Sequence, residues 1–152
     1  MRTRKRLIMS VVLVAALGVV ATSVPAGAAS RLETELDGSN EVPGPGDPDG
    51  SGVARVRLNV KAGRVCYAIS VTDIVLPATG AHIHRGGVSD AGPVKVALNN
   101  PTEVGTSGIG LASGCEEAKT KLLRRIRANP QRFYVNVHTT DYQDGAVRGQ
   151  LG

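Results

Sequence analysis

Two alternating runs joined by a tight turn occupy the chain between Gly52 and Val71. In the first, Ala54, Val56, Leu58 and Val60 alternate with Arg55, Arg57 and Asn59. Lys61-Ala62-Gly63-Arg64 then turns, and Val65, Tyr67, Ile69 and Val71 share one face of the second run, with Cys66 on the other. A side-chain period of two marks a strand with one buried face. Two such runs around a Gly-containing turn predict an antiparallel hairpin. The pattern recurs. Residues 32–37, 80–84, 94–98, 108–111, 132–140 and 146–151 read as further short strands. Between them stand turn clusters such as Gly44-Pro45-Gly46-Asp47-Pro48-Asp49-Gly50, Arg85-Gly86-Gly87 and Asp144-Gly145. Many short strands separated by Gly and Pro predict an all-β fold, an antiparallel Greek-key β-sandwich or barrel.

One α-helix is expected as an insertion near residues 114–128. Ser113 and Glu116 stand in capping-box register, Ala118, Leu122 and Ile126 fall on one face, and Asn129-Pro130 stops the run. On that reading Glu116 and Glu117 complement the positive end of the helix dipole. Lys119, Arg124, Arg125 and Arg127 decorate the remaining face. Such a face is ordinarily solvated; attraction to an acidic polymer or a membrane surface is the other reading.

The N-terminus reads as a targeting segment. Arg2, Arg4, Lys5 and Arg6 precede an apolar stretch from Leu7 to Val20, and Pro25 is followed by Ala26-Gly27-Ala28. That is a secretory signal with cleavage expected after Ala28, leaving residues 29–152 as one domain. The apolar stretch is too short for a membrane span, which needs roughly 20 residues, so none is expected after cleavage. The signal also accounts for the charge. The chain carries 18 Lys and Arg against 13 Asp and Glu, and four of the basic residues lie in residues 1–28. The remainder is close to neutral, which removes the case for a nucleic-acid partner. With no Trp and one Phe, the core must be built from Val, Ile, Leu and Ala.

Two cysteines remain, Cys66 and Cys115. In an exported domain an even count favours a disulfide, with free thiols or metal ligation as the alternatives. A bridge would tie the strand carrying Cys66 to the start of the expected helix.

The three histidines are His82, His84 and His138. His82 and His84 are two apart on a predicted strand and so share a face, their Cα atoms roughly 6.6 Å apart. His138 lies on a separate strand able to face them. Three neutral imidazoles suit copper or zinc. The competing reading makes them structural histidines that hydrogen-bond loops at one end of the sandwich. No Gly-x-Ser-x-Gly, phosphate-cradling loop or calcium loop is present. Asp47 and Asp49 are read as turn residues, and a Ser–His–Asp reading of Ser89-Asp90 with the histidines would rest on proximity in sequence alone. A non-enzymatic role is therefore favoured.

Several ordered motifs carry a resemblance. Asn40-Glu41-Val42-Pro43, Ser51-Gly52-Val53-Ala54, Ala81-His82-Ile83-His84-Arg85-Gly86, Gly92-Pro93-Val94, Tyr134-Val135-Asn136-Val137-His138-Thr139 and Gly145-Ala146-Val147-Arg148-Gly149-Gln150-Leu151 resemble the CHRD domain, over about residues 32–152. The resemblance implies an exported β-sandwich module, immunoglobulin-like or superoxide-dismutase-like. Its partner would be an extracellular protein or an envelope ligand, and it implies little about activity. A weaker similarity to copper/zinc superoxide dismutase places His82, His84 and His138 on that family's copper ligands. Arg148 matches its active-site arginine by position alone, and Asn136 and Arg148 would then support the ligands from behind. The chain lacks the fourth histidine and the His/Asp cluster of that family's second metal.

Overall fold

The computed structural model describes residues 30–152. The expected signal, residues 1–28, lies outside the described residues. Nine strands follow in chain order: β1 (Ser30–Asp37), β2 (Ser51–Asn59), β3 (Arg64–Thr72), β4 (Gly80–Arg85), β5 (Val94–Ala97), β6 (Thr102–Glu103), β7 (Ile109–Glu117), β8 (Phe133–His138) and β9 (Val147–Gln150). One helix, α1 (Thr120–Ala128), stands between β7 and β8. The strands form a single antiparallel sheet in the order β5-β4-β8-β9-β1-β2-β3-β7-β6. The sheet curls around one core, which confirms the all-β expectation.

The alternation explains the curl. Val65, Tyr67, Ile69 and Val71 on β3 and Ala54, Val56 and Leu58 on β2 are at most 5 % exposed. They meet Ile83, Val135 and Val137 from the other half of the sheet in one cluster. A sheet apolar on one face must cover that face, and bending it around itself does so. Helix α1 adds Leu123 and Ile126 to the same cluster. Burying each of these contributes about 1.5–3 kcal/mol. The helix sits beside the turn of the β2–β3 hairpin, where the Ala118 N–H donates to the Gly63 carbonyl at 2.8 Å.

The helix starts later than the sequence suggests. Ser113 and Glu116 do not form a capping box; they lie in β7, which pairs with β3 from Ile109 to Glu117 without a break. The helix begins at Thr120, after Lys119, with no side-chain cap. The reason lies in β7's inward face. It carries Gly110, Ala112 and Gly114, small because Leu76, Val71 and Tyr67 fill the space there, while Ile109 and Leu111 point outward. The strand therefore lacks the apolar alternation that marks the others, and nine cross-strand pairs outweigh a local capping signal. Glu116 and Glu117 accordingly have no helix-dipole role. Glu116 accepts from the Tyr67 hydroxyl at 3.3 Å, and Glu117 stands opposite Arg64. On α1 the buried pair is Leu123 and Ile126, with Leu122 half-buried.

Cys66 and Cys115 are bonded to each other. They are directly opposed on β3 and β7, so the bridge staples two paired strands rather than a strand to a helix start. The remaining loops follow turn chemistry. The Asp47 carboxylate accepts from Asp49 N–H, and the Asp90 carboxylate accepts from Gly87 N–H. Among the described residues no helix is long and apolar enough to cross a membrane.

Candidate metal centre

The register of three neighbouring strands builds the site. On β4 and β8, Gly80 lies opposite His138, His82 opposite Asn136, and His84 opposite Tyr134. Strand β9 extends both rows, with Arg148 opposite Asn136 and Gln150 opposite Tyr134. Ala81, Ile83, Val135 and Val137 take the inward positions. Period two therefore puts His82, His84, Tyr134, Asn136, His138 and Arg148 together on the outer face. Asn136 and Arg148 are 2 % and 1 % exposed, because loops cover this face.

Those loops are held by the polar layer beneath them. Arg148 donates to the carbonyls of Gly87 and Asp90, at 2.7 and 3.1 Å, and Gln150 Nε2 donates to Gly86 at 2.8 Å. The Tyr134 hydroxyl accepts from Gly92 N–H at 3.0 Å. The segment from Gly86 to Gly92 is thus pinned at several backbone groups. One of its carbonyls, that of Gly92, lies 2.7 Å from His84 Nδ1. On the other side His138 Nδ1 lies 2.9 Å from the Gln143 carbonyl. A carbonyl only accepts, so both Nδ1 atoms carry the proton. The neutral rings then present Nε2 as the lone-pair nitrogen.

The freed nitrogens have no partner within the protein. His82 Nδ1, His84 Nε2 and His138 Nε2 are buried and accept or donate no hydrogen bond. A ligand nitrogen from each of the three rings lies within 4.8 Å of the other two, and the ring centroids are 5.1–6.3 Å apart. A tetrahedral ion with bonds of about 2.0 Å wants its ligands about 3.3 Å apart, so side-chain rotations that bring the nitrogens closer by up to about 1.5 Å close the set. Gly80 makes room for this. A Cβ there would stand 3.1 Å from His82 Cε1 and 3.2 Å from His138 Cδ2. Burial pulls His82 and His84 below the ordinary histidine range, and the neighbouring rings pull further in the same direction. Both are therefore neutral and ready to ligate at physiological pH. His82 and His138 open onto a cleft of about 430 Å³ lined also by Thr79, Thr140 and Gln143, while His84 is buried.

All three histidines singled out in the sequence thus converge. Both sequence readings describe part of the geometry, because His84 and His138 each anchor a loop with one nitrogen and offer the other. Asn136 and Arg148 lie in the same cross-strand row as His82, on β8 and β9. Tyr134, Gln150, Gly80 and the Gly92 and Gln143 carbonyls complete the arrangement. A larger groove of about 570 Å³ runs over β1, β2 and β3, with Arg31, Arg55 and Arg57 on its walls, and has no converging ligand set.

A curled antiparallel sheet with one helix defines an all-β module, and three histidines converge on its outer face. Residues 32–151 match the CHRD domain model, and the chain belongs to the CHRD family. Comparison with curated proteins finds no match.

Proposed function

We propose that this chain is an exported, non-enzymatic CHRD module that holds one copper or zinc ion through His82, His84 and His138. One observation carries the reading: three buried imidazole nitrogens converge with no hydrogen-bond partner of their own. A buried polar atom left unpaired costs about 1–3 kcal/mol, and three at one point are most simply satisfied by a cation. Donation from the other nitrogen to a backbone carbonyl, as at His84 and His138, is the arrangement that fixes the tautomer of metal-bound histidine. Three neutral nitrogens suit copper and zinc and are a poor set for calcium or magnesium. Bound there, the ion supplies a Lewis-acidic centre open to the cleft.

Export rests on the N-terminal pattern of residues 1–28 and agrees with the Cys66–Cys115 bridge, which persists in oxidising compartments. A secreted module of this kind has an extracellular protein or envelope ligand as its partner. No second group of metal-ligating side chains accompanies the histidines among the described residues, which favours binding over dismutase-like redox chemistry.

The test is metal analysis of residues 29–152 made in an oxidising compartment, alongside His82→Ala and His138→Ala. About one equivalent of copper or zinc in the parent, lost in both variants, is the expected result. Equal, substoichiometric metal in all three proteins overturns the proposal.

A further inference from the structure

The segment from Ala118 to Thr140 contains Lys119, Lys121, Arg124, Arg125, Arg127 and Arg132 and no carboxylate. The rest of the exported domain has the opposite balance. Of the chain's 18 basic residues, four lie in residues 1–28 and six in this segment, leaving eight against all 13 Asp and Glu. A nearly neutral domain is therefore strongly polarised, with a patch of +6 on a body of −5. The patch is real in space. Leu123 and Ile126 face the core, so α1 turns Lys121, Arg124 and Arg125 outward, and all six cations are exposed. None has a carboxylate within ion-pair distance; the only ion pair among the described residues joins Arg55 to Glu33, on β1 and β2.

We infer that the outer face of α1 docks the protein onto a linear polymer of repeating phosphodiesters in the cell envelope. Four of the six cations are arginines, whose planar guanidinium forks match phosphate oxygens and are only weakly hydrated. Residues three and four apart on one helix face have Cβ atoms about 5–6 Å apart, so the cations form a row rather than a point. A lipid surface fits less well. A helix that lies in a membrane interface inserts an apolar face, and the apolar face of α1 is spent on the protein's own core. Nucleic acid fits less well too. Phe133 and Tyr134, next along the chain, are both 2 % exposed, so neither is free to stack on a base. The acidic remainder repels the same polymer, so the protein meets it helix first. Phe133 starts β8 on the helix side and His138 ends it five residues on, about 17 Å away. The histidine cluster is thereby left facing the medium. The inference is independent of the metal.

The test uses the chain lacking residues 1–28, immobilised poly(glycerol phosphate), and the variant K121Q/R124Q/R125Q/R127Q. All four sites are exposed, so the fold is retained, checked by an unchanged thermal transition. The variant R31Q/R57Q removes two cations from the β1–β2 surface as a control. Binding should weaken at least tenfold between about 50 and about 200 mM salt. It should fall at least tenfold in the quadruple variant and stay within twofold of the parent in the control. Equal binding by the quadruple variant, or no binding by the parent at low salt, overturns the inference. So does tighter binding to phosphatidylglycerol vesicles or to a single-stranded oligonucleotide than to the polymer.

Discussion

Arg148 lies over the face of Tyr134, its guanidinium carbon 3.4 Å from the ring centroid. Tyr134 is in turn stacked on His84, with centroids 4.8 Å apart and planes inclined by 13°. A buried cation is costly unless its charge is satisfied. Here two loop carbonyls and an aromatic face do so, with no carboxylate in hydrogen-bond contact. The arginine is therefore a clamp. It fixes the loop whose Gly92 carbonyl orients His84, and it presses the tyrosine against that ring.

Arg148→Lys tests the clamp. Lysine keeps the charge but cannot fork two carbonyls while stacking on a ring. The variant should lose about 2–4 kcal/mol in urea unfolding, since hydrogen bonds to charged groups contribute about 1.5–3 kcal/mol each. Amide exchange at Gly92 should accelerate with it. A loss below about 0.5 kcal/mol, the range of surface substitutions, contradicts the assignment.

Opening the Cys66–Cys115 bridge should cost nearly all of its chain-entropy contribution. The cysteines are 49 residues apart, which corresponds to about 4 kcal/mol. Cys66 is half-buried and Cys115 exposed, so C66S/C115S leaves no core cavity to confuse the measurement. Urea unfolding of the double variant against the oxidised parent gives the difference directly. A change under about 1 kcal/mol shows that the unfolded chain is already constrained there.

Much of this architecture is legible in residue order, and the exceptions have physical causes. Alternation on β2, β3 and β8 exposes both the strand and its inward face, and it places Tyr134, Asn136 and His138 together. Strand β7 shows only its first residues, within the expected run 108–111; the rest is hidden because its inward Ala112 and Gly114 are small, Gly114 lying under the bulk of Tyr67. The two-residue β6 is too short to carry a period. At the site, the three histidines stand out because the chain has no others. The carbonyls of Gly92 and Gln143 that set their tautomers cannot be read, since a backbone carbonyl looks alike at every position. The burial of Arg148 is equally silent, because only the register of β8 against β9 puts it beneath a loop.

Glu41 gives the fold a pH dependence. Its carboxylate is 5 % exposed, and neither oxygen has a hydrogen-bond partner. Burial raises it from 4.5 to about 7 against the pull of Arg148. Below about 4.5 both folded and unfolded chains hold the proton, and the contribution to stability is intact. As pH rises from there to about 7, the unfolded chain releases its proton first. Stability then falls by up to about 3 kcal/mol. Glu41→Gln should match the parent near pH 4 and exceed it by about 2–3 kcal/mol near pH 8, measured by urea unfolding at each pH. The same difference at both pH values refutes the assignment.

Gly92 separates the support of His84 from the ligands themselves. A Cβ at this position would overlap the carbonyl oxygen of Arg85 and lie 2.6 Å from its carbon. That is the backbone where β4 ends, so neither side yields cheaply. Gly92→Ala must push the loop away and lift the Gly92 carbonyl from His84 Nδ1. The ring then loses the bond that fixes its tautomer, with all three histidines still present. Loss of such a supporting contact typically costs 10–100-fold in metal affinity, and competition with a chromogenic chelator would show it. Gly105→Ala is the control, because no atom lies within 4 Å of its Cβ position even though its φ is +62°. It should cost about 1–2 kcal/mol of backbone strain and leave metal affinity unchanged. Equal affinity in Gly92→Ala and the parent means that His84 is oriented by its stack on Tyr134 alone.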